Sequence, residues 1–138
     1  MLRNLMVMFV MLAAVGCGDK GPGLVPVTGK ITYGGGAWPK TGYVNFSSIE
    51  PAAGYPTLNG TAELNTDGTF TVKSSGDKFG LVPGKYAVSL EAWEETPNME
   101  TNPPSVGKSY IPEGFKAPEV EIAVGDSKKE VNFDVPKK

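Results

Sequence analysis

Apolar and polar residues alternate along most of this chain with a period of two. Val25, Val27, Gly29, Ile31 and Tyr33 alternate with Pro26, Thr28, Lys30 and Thr32, which predicts a strand with one buried and one solvated face. The same phase recurs at Val44 and Phe46, at Ala62 and Leu64, and at Phe70 and Val72. It returns at Tyr86, Val88 and Leu90, at Val120, Ile122 and Val124, and at Val131, Phe133 and Val135. Seven short strands are predicted. Gly34-Gly35-Gly36, Asp67-Gly68, Pro83-Gly84 and Gly125-Asp126 lie between them and supply the preset or positive φ of tight turns, with a type II turn expected at Pro83-Gly84. The fold class predicted is all-β, a sandwich of seven to eight strands.

Two stretches depart from this rhythm. From 94 to 118 the prolines Pro97, Pro103, Pro104 and Pro112 accumulate with the acids Glu94, Glu95 and Glu100. A segment this long without regular structure is uncommon in a compact domain and is usually functional or mobile; one edge strand is expected inside it, near Val106 to Ile111. At the other end, Arg3 precedes an apolar run from Leu5 to Val15 that closes on small residues, the layout of a secretion signal helix. The run stops short of the roughly 20 apolar residues a membrane span requires.

Composition narrows the chemistry. Cys17 is the one cysteine, so no intrachain disulfide forms even in an oxidising compartment. Ala14-Val15-Gly16-Cys17 resembles the lipobox of bacterial lipoprotein precursors, although Ala14 stands where those more often carry leucine. The resemblance implies cleavage between Gly16 and Cys17 and acylation of the Cys17 thiol; the alternative is a chance cysteine in an ordinary signal peptide. Two or three acyl chains make a lasting anchor where one binds marginally. The expected organisation is a signal peptide at 1–16, a lipidated cysteine and spacer at 17–24, and a sandwich at 25–136. Removing the signal leaves twelve lysines, no arginine and fifteen acids, a formal charge of −3. A mildly acidic chain without a basic patch or bidentate arginines is a poor nucleic-acid binder.

Three segments carry a family resemblance. Val27-Thr28-Gly29-Lys30-Ile31-Thr32-Tyr33 is followed by Trp38-Pro39 and Val44-Asn45-Phe46. Thr61-Ala62 precedes Thr66-Asp67-Gly68-Thr69-Phe70, and Leu81-Val82-Pro83-Gly84-Lys85-Tyr86-Ala87-Val88 follows. Together they resemble carboxypeptidase regulatory-like domains, and with the lipobox they resemble short lipoproteins of planctomycete-like bacteria. The resemblance implies a transthyretin-like sandwich of Greek-key, immunoglobulin-like architecture, and places Trp38 as an apolar plug over one end. Transthyretin-like hydrolases of purine metabolism rely on histidines and a C-terminal tetrapeptide; this chain has no histidine and ends Asp134-Val135-Pro136-Lys137-Lys138, so that activity does not carry over.

The absence of histidine also removes most hydrolase triads and histidine metal sites. Glu94 with Glu95, or Glu119 with Glu121, could pair as acid and base; alternation puts Glu119 and Glu121 on a solvated face instead. Asn65 and Asp67 before Gly68 resemble a fragment of a calcium loop but lack the remaining oxygen ligands at the required spacing, which favours a plain hairpin turn. No catalytic residue, metal or cofactor is expected. Trp93 falls on the polar phase set by Tyr86, Val88 and Leu90, where an aromatic plane either stacks on a sugar or a protein partner, or is partly buried; Trp38 presents the same alternatives. The function expected is a non-catalytic module of the cell envelope, held to a membrane by lipid and facing the periplasm or the cell surface. A polysaccharide partner calls for an exposed tryptophan beside polar groups. A protein partner calls for an open sheet edge or the Pro-rich loop, and an envelope hydrolase for converging carboxylates.

Overall fold

Strands with one apolar face each can hide those faces from water by forming two sheets that share a core. The computed structural model describes residues 23–138 apart from residue 75. The predicted signal helix, the Gly16–Cys17 cleavage site and the lipidation of Cys17 lie outside the described residues. Among the described residues eleven strands form: β1 (Val27–Tyr33), β2 (Gly42–Pro51), β3 (Gly60–Leu64), β4 (Thr69–Thr71), β5 (Lys73–Ser74), β6 (Lys78–Phe79), β7 (Gly84–Glu91), β8 (Trp93–Glu95), β9 (Lys108–Ser109), β10 (Val120–Ile122) and β11 (Lys129–Val135). One sheet has the order β11-β1-β4, a second has β10-β7-β2-β3-β5-β6, and β8 with β9 makes a separate ribbon. The described residues are all-β, with the layered sheets of a sandwich.

β1 and β11 pair in parallel, from Val27 opposite Lys129 to Tyr33 opposite Val135, so the first and last long strands are neighbours. The remaining strand pairs are antiparallel. Val27 and Ile31 from one sheet and Val44, Phe46, Leu64 and Tyr86 from the other are buried in a single cluster, so the predicted inward phase is the observed one. The predicted fourth strand is divided at Val72: β4 pairs with β1 in one sheet and β5 with β3 in the other, which ties the sheets together along that side.

Several expectations are corrected. Val124 does not share the buried face of Val120 and Ile122. β10 stops at Ile122, and the chain turns where Asp126 N–H donates to the Ala123 carbonyl at 3.1 Å and Ala123 N–H donates to Asp126 Oδ2 at 2.9 Å, leaving Val124 63% exposed. Pro83-Gly84 is not a type II turn: Gly84 opens β7 at φ 152°, and its neighbours in the sheet are Pro51 and Ile122.

The Pro-rich stretch contains more structure than predicted. Trp93 pairs with Ser109 across β8 and β9, with β9 inside the expected edge-strand region, and a bridge between Asn98 and Ser105 extends the hairpin into an arm. Beyond β9 the chain returns to the sandwich. Tyr110 meets Tyr33 edge-on at 6.0 Å between centroids, Phe115 stacks on Phe133 at 6.4 Å, and Ile111 packs against the core. These residues cover Val88, Leu90 and Phe133, which are only partly buried. The side chains of this long segment shield apolar surface that no strand covers.

Candidate functional site

The site is built on the outward face of the six-stranded sheet. With Val44 and Phe46 of β2 directed inward, alternation sends Tyr43 to solvent, where it is 51% exposed. Register then sets its neighbours: Glu63 of β3 is opposite Tyr43 on one side and Glu91 of β7 on the other. Ala92 is buried, and Trp93 follows on the same phase as Glu91. The Trp93 indole Nε1–H donates to Glu91 Oε1 at 3.1 Å, which fixes the plane of the ring. Lys40, Tyr43, Glu63, Glu91, Trp93 and Thr96 line a shallow cavity of about 180 Å3. Among the described residues the one ion pair is Lys108 Nζ with Glu94 Oε2 at 2.8 Å; Glu63 and Glu91 have no lysine within 4.0 Å.

Trp93 thus stands where its phase put it, half-buried and beside polar groups. Trp38 is not a ligand contact, which corrects the expectation for that residue. It is 3% exposed and meets Tyr33 edge-on at 6.1 Å, so it presents no face to a ligand. The acid–base candidates do not converge. Glu94 is paired to Lys108, whose ammonium it holds above its usual range by hydrogen bond and charge, while Glu95, Glu119 and Glu121 point into solvent. No group of three or more acidic or thiol side chains is arranged to hold a metal ion among the described residues.

Asn65, Asp67 and Gly68 are committed to a turn, and the plain hairpin expected there is corrected: β3 and β4 do not pair, and the turn carries the chain from one sheet to the other. Asp67 Oδ1 accepts from the Thr69 hydroxyl at 2.6 Å and the Thr69 N–H at 3.0 Å, and Asn65 Nδ2 donates to Thr69 Oγ1 at 3.0 Å. Gly68 takes the positive φ of 82° that the turn requires. At the same end of the molecule Asp134 Oδ1 accepts from the Thr32 hydroxyl at 2.6 Å and the Gly35 N–H at 2.7 Å. The hydrogen bonds from Thr69, then the charge of Lys30, hold the Asp67 carboxyl below its ordinary value, and those from Thr32 and Gly35 do the same for Asp134.

A depressed folded pKa means stabilisation that is present above the unfolded value and lost as pH falls through the folded one. Thermal stability is therefore expected to hold from neutral pH down to about 4 and to decline below it. Asp67→Asn combined with Asp134→Asn should flatten that acid limb; a melting temperature that falls as steeply in the double variant as in the wild type would refute the assignment.

The sequence reading named Trp93 but missed Lys40, Tyr43, Glu63 and Glu91. Tyr43 carried a usable signal, an aromatic on the polar phase of β2. The two glutamates carried none, since their relation to Tyr43 exists only through register with other strands. Comparison with protein-family models, curated proteins and solved structures finds no match.

Proposed function

We propose that this chain is a lipid-anchored, non-catalytic binding module of the bacterial cell envelope. In this reading the signal peptide is removed between Gly16 and Cys17, an acylated Cys17 holds the protein to a membrane, and a transthyretin-like, carboxypeptidase regulatory-like sandwich presents the Tyr43–Trp93 face to an envelope polysaccharide. The observation that carries it is the polarity of the domain. The described chain enters at the end where Val25 pairs with Leu81, below the start of β1. Tyr43, Glu63, Glu91 and Trp93 lie at the other end, level with the Gly68 turn against which Ile31 is bonded. The eight residues from Cys17 to Val25 span at most about 28 Å, enough to lift the sandwich clear of a bilayer with this face directed outward. An exposed tyrosine with a half-buried tryptophan beside hydrogen-bonding groups offers the combination of aromatic surface and polar contact that sugar rings use.

A protein partner is the competing reading, favoured by Met99 and Val106, large apolar residues exposed on the hairpin arm.

Two measurements on the full chain test the proposal. Intact mass after membrane extraction should correspond to cleavage before residue 17 plus acyl groups, and Cys17→Ser should abolish that mass; an unmodified mature protein overturns the anchor. The Cys17→Ser chain should co-sediment with insoluble bacterial cell-wall glycan, and Trp93→Ala should weaken the association at least tenfold. Unchanged sedimentation would remove the platform from the account and shift attention to the arm.

A further inference from the structure

We infer that the Tyr43 platform selects glycans bearing free amino groups, an inference that rests on this face being the glycan site. The argument begins with what flanks the ring. Glu63 and Glu91 are the register neighbours of Tyr43 on its two sides, and adjacent strands lie about 4.8 Å apart. A cation seated over the phenol ring is therefore within reach of a carboxylate from either strand. Neither carboxylate has a lysine within 4.0 Å among the described residues. Glu91 spends one oxygen on the Trp93 indole and has a second to offer.

The aromatic rings strengthen the case, because the faces of tyrosine and tryptophan attract cations through their quadrupoles, and a carboxylate beside an aromatic face is suited to an ammonium group. Lys40 lines the same cavity and opposes this in part. With two acids and one lysine the rim keeps a single negative charge, and the lysine supplies a donor for a sugar oxygen. The cavity, about 180 Å3, is on the scale of one pyranose ring, so a single amino sugar can put its C–H face on an aromatic and its ammonium between the carboxylates. A uronic acid or a phosphate-bearing glycan in the same place would meet Glu63 and Glu91 with like charge.

The test is calorimetric titration of the full-length Cys17→Ser chain with four probes: the β-1,4-linked tetramers of glucosamine, of N-acetylglucosamine and of glucose, and tetralysine. The glucosamine tetramer is expected to bind at least tenfold more tightly than the other three. That preference should shrink as salt rises from 0.15 M towards 1 M, where the screening length falls from about 8 Å to about 3 Å. The double variant Glu63→Gln, Glu91→Gln keeps an oxygen for the Trp93 indole and should bring the glucosamine tetramer down to the level of the glucose tetramer. Equal or tighter binding of the acetylated or glucose tetramers overturns the amino-group inference and leaves the glycan reading standing. Tetralysine binding as tightly as the glucosamine tetramer overturns it in favour of a cationic peptide. No binding of any probe removes both the inference and the glycan reading.

Discussion

Gly29→Ala is expected to destabilise the domain by about 3 kcal/mol, at the upper end of what overpacking usually costs. A Cβ at this position would overlap the Val131 carbonyl oxygen and lie 2.6 and 2.8 Å from the Phe70 ring. The ring could turn aside. The carbonyl could not, because Gly29 and Val131 are direct partners in the parallel pairing of β1 with β11, and moving one breaks the ladder that joins the first and last described strands. The double variant Gly29→Ala, Phe70→Leu separates the two contributions: trimming the ring should recover little, since the backbone overlap remains. Denaturant unfolding with an unchanged slope measures it. A loss below about 1 kcal/mol would mean that β1 and β11 can separate without cost, contrary to this packing.

Tyr86→Phe should cost about 2 kcal/mol although it removes one oxygen atom. The Tyr86 hydroxyl donates to the Val82 carbonyl at 2.6 Å, and both residues are fully buried. This four-residue clamp has the form of the tyrosine corner found in Greek-key sandwiches. Burial also pushes the phenol above its usual pKa, so it stays a neutral donor across the physiological range. Without the hydroxyl the Val82 carbonyl is left in the core with no hydrogen-bond partner among the described residues, and a buried acceptor left unsatisfied costs about 1–3 kcal/mol. The clamp spans Pro83 and the entry to β7, so the loss should appear chiefly as slower folding if β7 is already docked in the transition state and as faster unfolding if it docks later. A neutral or stabilising Tyr86→Phe would show that the Val82 carbonyl finds water when the hydroxyl is removed.

The tryptophans and the residues around Tyr43 differ in how much could be anticipated. Trp93 was legible because two-residue alternation from Tyr86 passes through Val88 and Leu90 without interruption. The burial of Trp38 was anticipated only through the family resemblance, since it sits between β1 and β2 in a segment with no period of its own; in the fold it packs edge-on against Tyr33. Glu63 and Glu91 became part of a site only when β3 and β7 were placed on either side of β2.

By itself the sequence determined the strand character of this protein, the inward phase of its main strands and the Asp67-Gly68 reversal. These are properties of a few consecutive residues: alternation follows from the backbone pleat, and a turn from the φ its residues accept. Tertiary structure alone decided that Val72 divides one predicted strand between two sheets, that Val124 lies outside the core and that the segment around Tyr110 and Phe115 covers the sandwich flank. It also decided that two glutamates from different strands flank Tyr43. The reason is that burial and proximity depend on which distant element comes to lie alongside, and local periodicity carries no information about the partner across the sheet.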